Sequence, residues 1–272
     1  MLGLMKKIGS LPMLFCSGTA FAAYTWNFPE PVTPIARETL HVHNLFMIII
    51  LIIFTGVLAL MLYSFWAHRK SQGHQAGSFT APRSTKQWLF VLAPFAVLLY
   101  IDYIVFGIPA YHAVKMYEDS KTDAELVVKV TGSQWMWQYE FPAEGVKYTS
   151  RLVTPRDQID NKEAKGENYL LEVDNPLVLP VGKKVRFITT SNDVIHSWWV
   201  PAFGVKRDAV PGFLREFWAT VEKTGTYRGQ CSELCGKEHA YMPVVVEVVT
   251  EQEFKTWLDG RKAASTQVAA AK

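Results

Sequence analysis

The chain has 272 residues, a formal charge of +3 from 28 basic and 25 acidic side chains, and a mean hydropathy of +0.06. That length allows one or two domains, and a hydrophobic share of 49% is high for a wholly soluble chain. Lys and Arg outnumber Asp and Glu by 7 to 3 before residue 111 but stand at 21 against 22 from there on, which weakens a nucleic-acid reading, since that wants a basic face, and places the apolar excess in the N-terminal part.

The chain opens with Lys6 and Lys7, an apolar run and an Ala-rich end, "IGSLPMLFCSGTAFAA". This pattern predicts a secretory signal over residues 1–23, cut near Ala23, with Cys16 leaving alongside it. Residues 24–44 then form an exported N-terminal segment. The next stretch, 45–66, reads "LFMIIILIIFTGVLALMLYSFW" and carries no charge. At 1.5 Å per residue it spans a hydrocarbon core of about 30 Å. It closes on Tyr63 and Trp66 followed by His68, Arg69 and Lys70, an aromatic belt and then positive charge.

Residues 67–87 form a polar loop with Arg69, Lys70, Arg83 and Lys86. A short loop this basic stays in the cytoplasm. A second span over 88–110 then returns the chain to the periplasm, the topology that the signal requires independently. Asp102 lies in this span. An ionisable group at membrane depth is costly, and about 20 Å along the helix Asp102 is expected near the periplasmic interface.

From Ala124 the pattern changes to short runs rich in Val and aromatics, among them "ELVVKVTGSQWMWQYEF", "KKVRFITTS" and "MPVVVEVV", separated by Gly/Pro turns. Strands at this spacing predict an antiparallel sandwich or barrel, and the domain is bounded at 111–260. Thr250 with Glu253 three residues on is a capping box that opens a helix, and residues 261–272 are expected to be a loose tail.

The segment "GQCSELCGKEHAYMP" decides the chemistry. Export makes a disulfide the default for two close cysteines, but a C-x3-C bridge closes only a tiny loop and would constrain the unfolded chain little. Cys231, Cys235, His239 and Met242 together offer thiolates, imidazole and thioether, a soft set suited to copper. Zinc could use two Cys and two His but would leave Met242 unexplained. A one-copper site on a β-sandwich takes one Cys, a weak axial Met and two His, one of them far upstream. His196, in "DVIHSWWVPAFGVK", is placed for the remote role. The second cysteine supplies enough donors to bridge two metals.

With "DVIHSWWVPAFGVKRDAVPG", "GSQWMWQYEF" and "LLEVDNPLVLPVG", this loop resembles subunit II of the haem–copper cytochrome c oxidases, over about residues 40–258. The resemblance implies a two-helix transmembrane hairpin plus an all-β, cupredoxin-like Greek-key domain. It implies two copper ions in a binuclear centre held by the side chains of His196, Cys231, Cys235, His239 and Met242, with Glu233 giving its backbone carbonyl. The Glu233 carboxylate would bind a magnesium ion shared with subunit I. Trp135 matches the surface residue where electrons arrive from cytochrome c. The partners implied are subunit I with its haems, subunit III, cytochrome c and membrane lipid. The expected location is a bacterial inner membrane, with the N-terminus and copper domain in the periplasm.

The chain departs from the family pattern in "APRSTKQWLFVLAP", which lacks the carboxylate many members have before the second helix at the mouth of a proton pathway. No C-x-x-C-H occurs, so no covalent haem is expected. The full ligand set argues against quinol as direct donor. Two alternatives stand beside the oxidase reading: a similar copper relay in a nitric oxide reductase (or, less well, a nitrous oxide reductase), and a membrane-anchored copper-delivery or thiol-redox protein. The second would be expected on a thioredoxin-like α/β core.

Overall fold

A computed structural model describes residues 27–73 and 81–270. The expected signal over 1–23 and part of the basic loop lie outside the described residues. Among the described residues, two helices are long and apolar enough to cross a membrane. The first, α1, runs Pro34–Ala67. The second is built from α2 (Thr85–Tyr100), a π-helical stretch Ile101–Gly107 and α3 (Ile108–Glu118). Ser84 and Gln87 form a reciprocal capping box at the start of α2, satisfying backbone donors that the first turn leaves free.

Both helices extend beyond the apolar runs on the sandwich side. α1 begins at Pro34 instead of near residue 45, and α3 ends at Glu118 instead of 110. The added turns are polar enough to escape a hydropathy reading, yet they pack. Thr33 is fully buried; its hydroxyl donates to the Phe203 carbonyl at 2.7 Å and caps α1 by accepting from the Ala36 N–H. Gly204 has φ +66°, and a Cβ there would lie 2.5 Å from the Ala36 Cα, so only glycine permits this approach. Arg37 grips Glu222 with two hydrogen bonds of 2.9 and 2.7 Å. At the α3 end, the Trp218 indole N–H donates to the Met116 carbonyl at 2.7 Å and the Tyr117 hydroxyl to Lys206 O.

The strands are β1 (Leu126–Ser133), β2 (Met136–Phe141), β3 (Val146–Ser150), β4 (Leu177–Pro180), β5 (Lys184–Ser191), β6 (His196–Val200), β7 (Val205–Ala209), β8 (Arg215–Thr220), β9 (Gly225–Cys231) and β10 (Pro243–Val249). They form two five-stranded sheets, β3-β2-β1-β5-β8 and β4-β10-β9-β6-β7. The sandwich is mixed, not purely antiparallel: β1 pairs with β5 and β10 with β4 in parallel. The chain crosses from one sheet to the other after β3, β4, β5, β7 and β8, and such crossings return strands beside earlier ones in the same direction.

Alternate residues of β1 and β5 point inward, as a period of two requires. The core holds Trp137, Tyr139, Phe141, Phe187, Trp198, Phe203 and Phe217, all fully buried. Each large side chain removed from water contributes about 1.5–3 kcal/mol.

After β10, α5 runs Glu251–Ala270 through the segment expected as a tail. The Thr250/Glu253 box is present. The helix continues past Gly260 because Arg261 is held: its guanidinium lies over the Tyr148 and Trp257 rings and donates to Asn175. The residues that follow are rich in Ala, the best helix former.

Candidate metal centre

His196 opens β6 and is fully buried. Its ring lies against β1, where a Cβ at Gly132 would come within 2.8 Å of the imidazole. The Trp137 ring meets it edge-on at 5.9 Å. Nε2 lies 2.8 Å from the Asp193 carboxylate, so with that nitrogen donating, Nδ1 is left to face Cys231 at 4.0 Å.

The other residues come from the β9–β10 connection. Cys231 ends β9, Met242 immediately precedes β10, and His239 sits in the short 3₁₀ turn between them. The neck of this loop is closed by the Cys231 N–H on the Met242 carbonyl and by the Trp137 indole N–H on the same oxygen, each at 3.3 Å. Ser232 N–H bonds to the Ser197 carbonyl, fixing the loop to β6. The contacts then run in series: Cys231 Sγ to Cys235 Sγ 3.9 Å, Cys235 Sγ to His239 Nδ1 3.4 Å, Cys235 Sγ to Met242 Sδ 3.5 Å, and Cys231 Sγ to the Glu233 carbonyl 3.3 Å. Cys231, Cys235 and Met242 are buried, His239 half-buried and the Glu233 side chain exposed. All six residues expected from the sequence as metal donors therefore meet in one place.

The cysteines are free thiols; their sulfurs are far beyond the S–S bond length of about 2.05 Å. Burial, together with the adjacent Cys231 sulfur, pushes the Cys235 thiol up to about 12. Burial acts against Cys231 as well, yet hydrogen bonds from His196 and the backbone hold it below the usual thiol range. Two neighbouring thiols of which only one ionises readily are poor company without a cation. A metal ion supplies that charge, and a metal–sulfur distance of about 2.3 Å lets one ion touch both sulfurs. Three sulfurs, two imidazoles and a carbonyl fit copper.

Asp193 carries no sequence signal beyond standing three residues before His196. Burial alone would raise its carboxyl, but hydrogen bonds from His196 and from the Gln134 and Val194 N–H groups hold it low. It therefore fixes the imidazole orientation. Replacing Asp193 by alanine should lower copper affinity by about 10–100-fold, read by competition with a chelator, while circular dichroism stays unchanged. Gln134 joins the same network: its N–H donates to Asp193 and its side-chain amide to the Cys235 carbonyl, both at 2.7 Å.

Trp135, next in the chain, is half-buried. Its ring edge rests on Gly236, where φ is +125° and a Cβ would stand 3.0 Å from the indole Cζ2. Lys237 lies over the same ring. Trp135 is thus in van der Waals reach of the residue that follows Cys235. Trp137, by contrast, is wholly inside.

Two family models match the chain: "Cytochrome C oxidase subunit II, periplasmic domain" over residues 126–249 and "Cytochrome C oxidase subunit II, transmembrane domain" over residues 22–108. Cytochrome c oxidase subunit 2 of Cereibacter sphaeroides is 36% identical over 245 residues, 85% of this chain and 78% of that protein. Its counterpart in Arabidopsis thaliana is 31% identical over 252 residues, 92% of this chain and 95% of the relative. Among solved structures, the periplasmic domain of subunit II of cytochrome oxidase from Bradyrhizobium japonicum is 44% identical. It covers 52% of this chain and 96% of that one, with a TM-score of 0.47.

Proposed function

The chain belongs to the cytochrome c oxidase subunit II family, a two-pass membrane subunit of a haem–copper terminal oxidase, and on that premise we propose that it is the subunit through which electrons reach the oxidase. It accepts them one at a time from a cytochrome c and passes them to haem in subunit I, where O2 is reduced to water. The observation that carries this reading is the convergence of His196, Cys231, Glu233 O, Cys235, His239 and Met242 in one loop-and-strand pocket.

Two copper ions held there would supply a one-electron couple shared between both metals. The chain's own residues do the rest. Cys231 and Cys235 would hold the ions through their thiolates, His196 and His239 would each supply an imidazole nitrogen, and Met242 and the Glu233 carbonyl would be the weaker donors. Trp137, packed edge-on against the His196 ring, and Trp198, paired with Cys231 across β6 and β9, are both buried and keep water from the inner side of the site. The exposed Glu233 carboxylate is free to hold magnesium with subunit I. Trp135 is the surface group where electrons arrive, a role supported by its contact with Gly236 beside Cys235.

The location follows from charge. The basic loop after α1 lies on the cytoplasmic side of a bacterial inner membrane, and the sandwich with its copper loop lies in the periplasm. Lipid surrounds the hairpin, and subunit III completes the expected assembly. The mixed sandwich favours this reading over a thioredoxin-like copper-delivery protein. A nitric oxide reductase relay is separated by its partner chain.

The deciding experiment is copper loading of the purified chain in detergent, followed by metal analysis and electron paramagnetic resonance. Two coppers per chain with a delocalised mixed-valence signal are expected; one copper, or zinc alone, overturns the proposal. In the assembled oxidase, Trp135→Ala should cut turnover with cytochrome c by at least about tenfold, the loss of roughly 1.4 kcal/mol of coupling, while the copper spectrum stays intact. A spectrum altered in parallel would assign Trp135 a structural role instead.

A further inference from the structure

Trp135 as the entry point does not by itself say which cytochromes are accepted; the charges on the ring do. Lys237 stands over it, with Nζ 5.9 Å from the centroid, inside the range of a cation–π contact. The lysine is exposed and makes no ion pair among the described residues. A haem edge that comes within reach of Trp135 therefore meets this ammonium group.

The surrounding charges reinforce it. Arg151, exposed and likewise without an ion pair among the described residues, reaches Met136, the residue after Trp135, with Nε 3.2 Å from the thioether sulfur. Asp193 is turned toward the metal site: Oδ1 accepts from the His196 ring and the Val194 N–H, and Oδ2 from the Gln134 N–H. On the β3–β4 connection, Asp157 pairs with Lys162 at 3.1 Å and Asp160 with Arg156 at 3.3 Å. Glu238, next to Lys237, is half-buried. The exposed, unpaired charges in contact with Trp135 and Met136 are thus both positive. Like charges brought together in an interface suppress the wrong partner, and a rim charge acts mainly on association rate and its salt dependence.

We propose that Lys237 is a specificity residue of electron entry: it receives a carboxylate on the docking face of the donor cytochrome and discriminates against a donor that presents lysine at that point. The inference rests on the reading of Trp135 as the entry group and adds the charge the donor must carry opposite it. Arg151 supports the same choice from the Met136 side.

The test uses the assembled oxidase at low salt and two forms of one donor: a lysine-rich cytochrome c, and the same protein succinylated, which turns its ammonium groups into carboxylates. The readout is the ratio of kcat/KM for the lysine-rich form to that for the succinylated form. Wild-type oxidase that oxidises neither form refutes the oxidase reading, and turnover undiminished in Trp135→Ala refutes entry at that residue; either takes this inference with it. With both readings intact, Lys237→Glu should raise the ratio by roughly tenfold or more. Lys237→Gln should fall between, and Lys237→Arg should restore the wild-type ratio. In about 1 M salt, where the screening length is about 3 Å, the variants should converge. A ratio for Lys237→Glu within about twofold of wild type overturns the proposal. So does a difference that persists in 1 M salt, the mark of a displaced Trp135 ring. If the copper spectrum of Lys237→Glu is altered, Lys237→Gln decides by the same measurement: a raised ratio that vanishes in salt supports the proposal, and an unchanged one overturns it.

Discussion

Cys231→Ser should leave the chain folded and membrane-bound but without any delocalised two-copper signal, and the oxidase containing it should turn over far more slowly with its cytochrome donor. Cys231 is the sulfur placed between both halves of the site: His196 Nδ1 is 4.0 Å away, Cys235 Sγ 3.9 Å and the Glu233 carbonyl 3.3 Å. It is also the thiol that ionises more easily, its environment holding it low while Cys235 is pushed up to about 12. Serine keeps the volume but removes the soft thiolate, so the site loses the donor that copper prefers. The loss should exceed the 10–100-fold typical of removing an outer partner of a ligand. Copper analysis and electron paramagnetic resonance on the same sample check it. A variant that still binds two coppers with an unchanged signal would show that Cys231 is not a bridging ligand.

The second large effect is expected from Gly229→Ala, a change that touches no metal donor. A Cβ at Gly229 would stand 1.9 Å from the Trp199 carbonyl oxygen and 2.9 Å from the Val200 Cα. These are backbone atoms that cannot rotate away. β6 and β9 pair only at Trp198 with Cys231 and Trp199 with Gln230, beside the two strand ends that carry His196 and Cys231. Separating the strands should cost on the order of 3 kcal/mol or more. The melting temperature should fall by roughly 10 °C, and copper should drop below two per chain even below the transition. A melting temperature within about 1 °C of wild type would mean the strands accommodate the methyl group.

Much of this was legible before any coordinates. The apolar runs at 45–66 and 88–110 needed only hydropathy, and the donors in the 231–242 loop are local in sequence. What stayed hidden depends on contacts between distant segments. The helical turns at 34–44 and 111–118 are mixed in polarity and earn their place by touching Phe203, Glu222 and Trp218. The parallel pairing of β1 with β5 is a property of sheet crossings, which leave no periodic mark. Asp193 and Gln134 are ordinary polar residues in turns; only the fold places their side chains on His196 and the Cys235 carbonyl. The helix through Arg261 was missed because Gly260 reads as a stop, whereas the stacking of Arg261 on Tyr148 and Trp257 overrides it.

The junction at Thr33, Ala36, Arg37 and Gly204 has a consequence for how fast such a protein can work. Electron tunnelling weakens exponentially with separation, so a relay on a swinging tether would spend most of its time too far from its acceptor. Here the first membrane helix is keyed into the sandwich by a buried hydroxyl, a glycine contact and a two-pronged ion pair, and the second is tied by the Met116 carbonyl. For the proposed relay, the bilayer-spanning hairpin would act as a fixed post that sets the height and tilt of the candidate metal loop, and the jump distance would become a property of the fold.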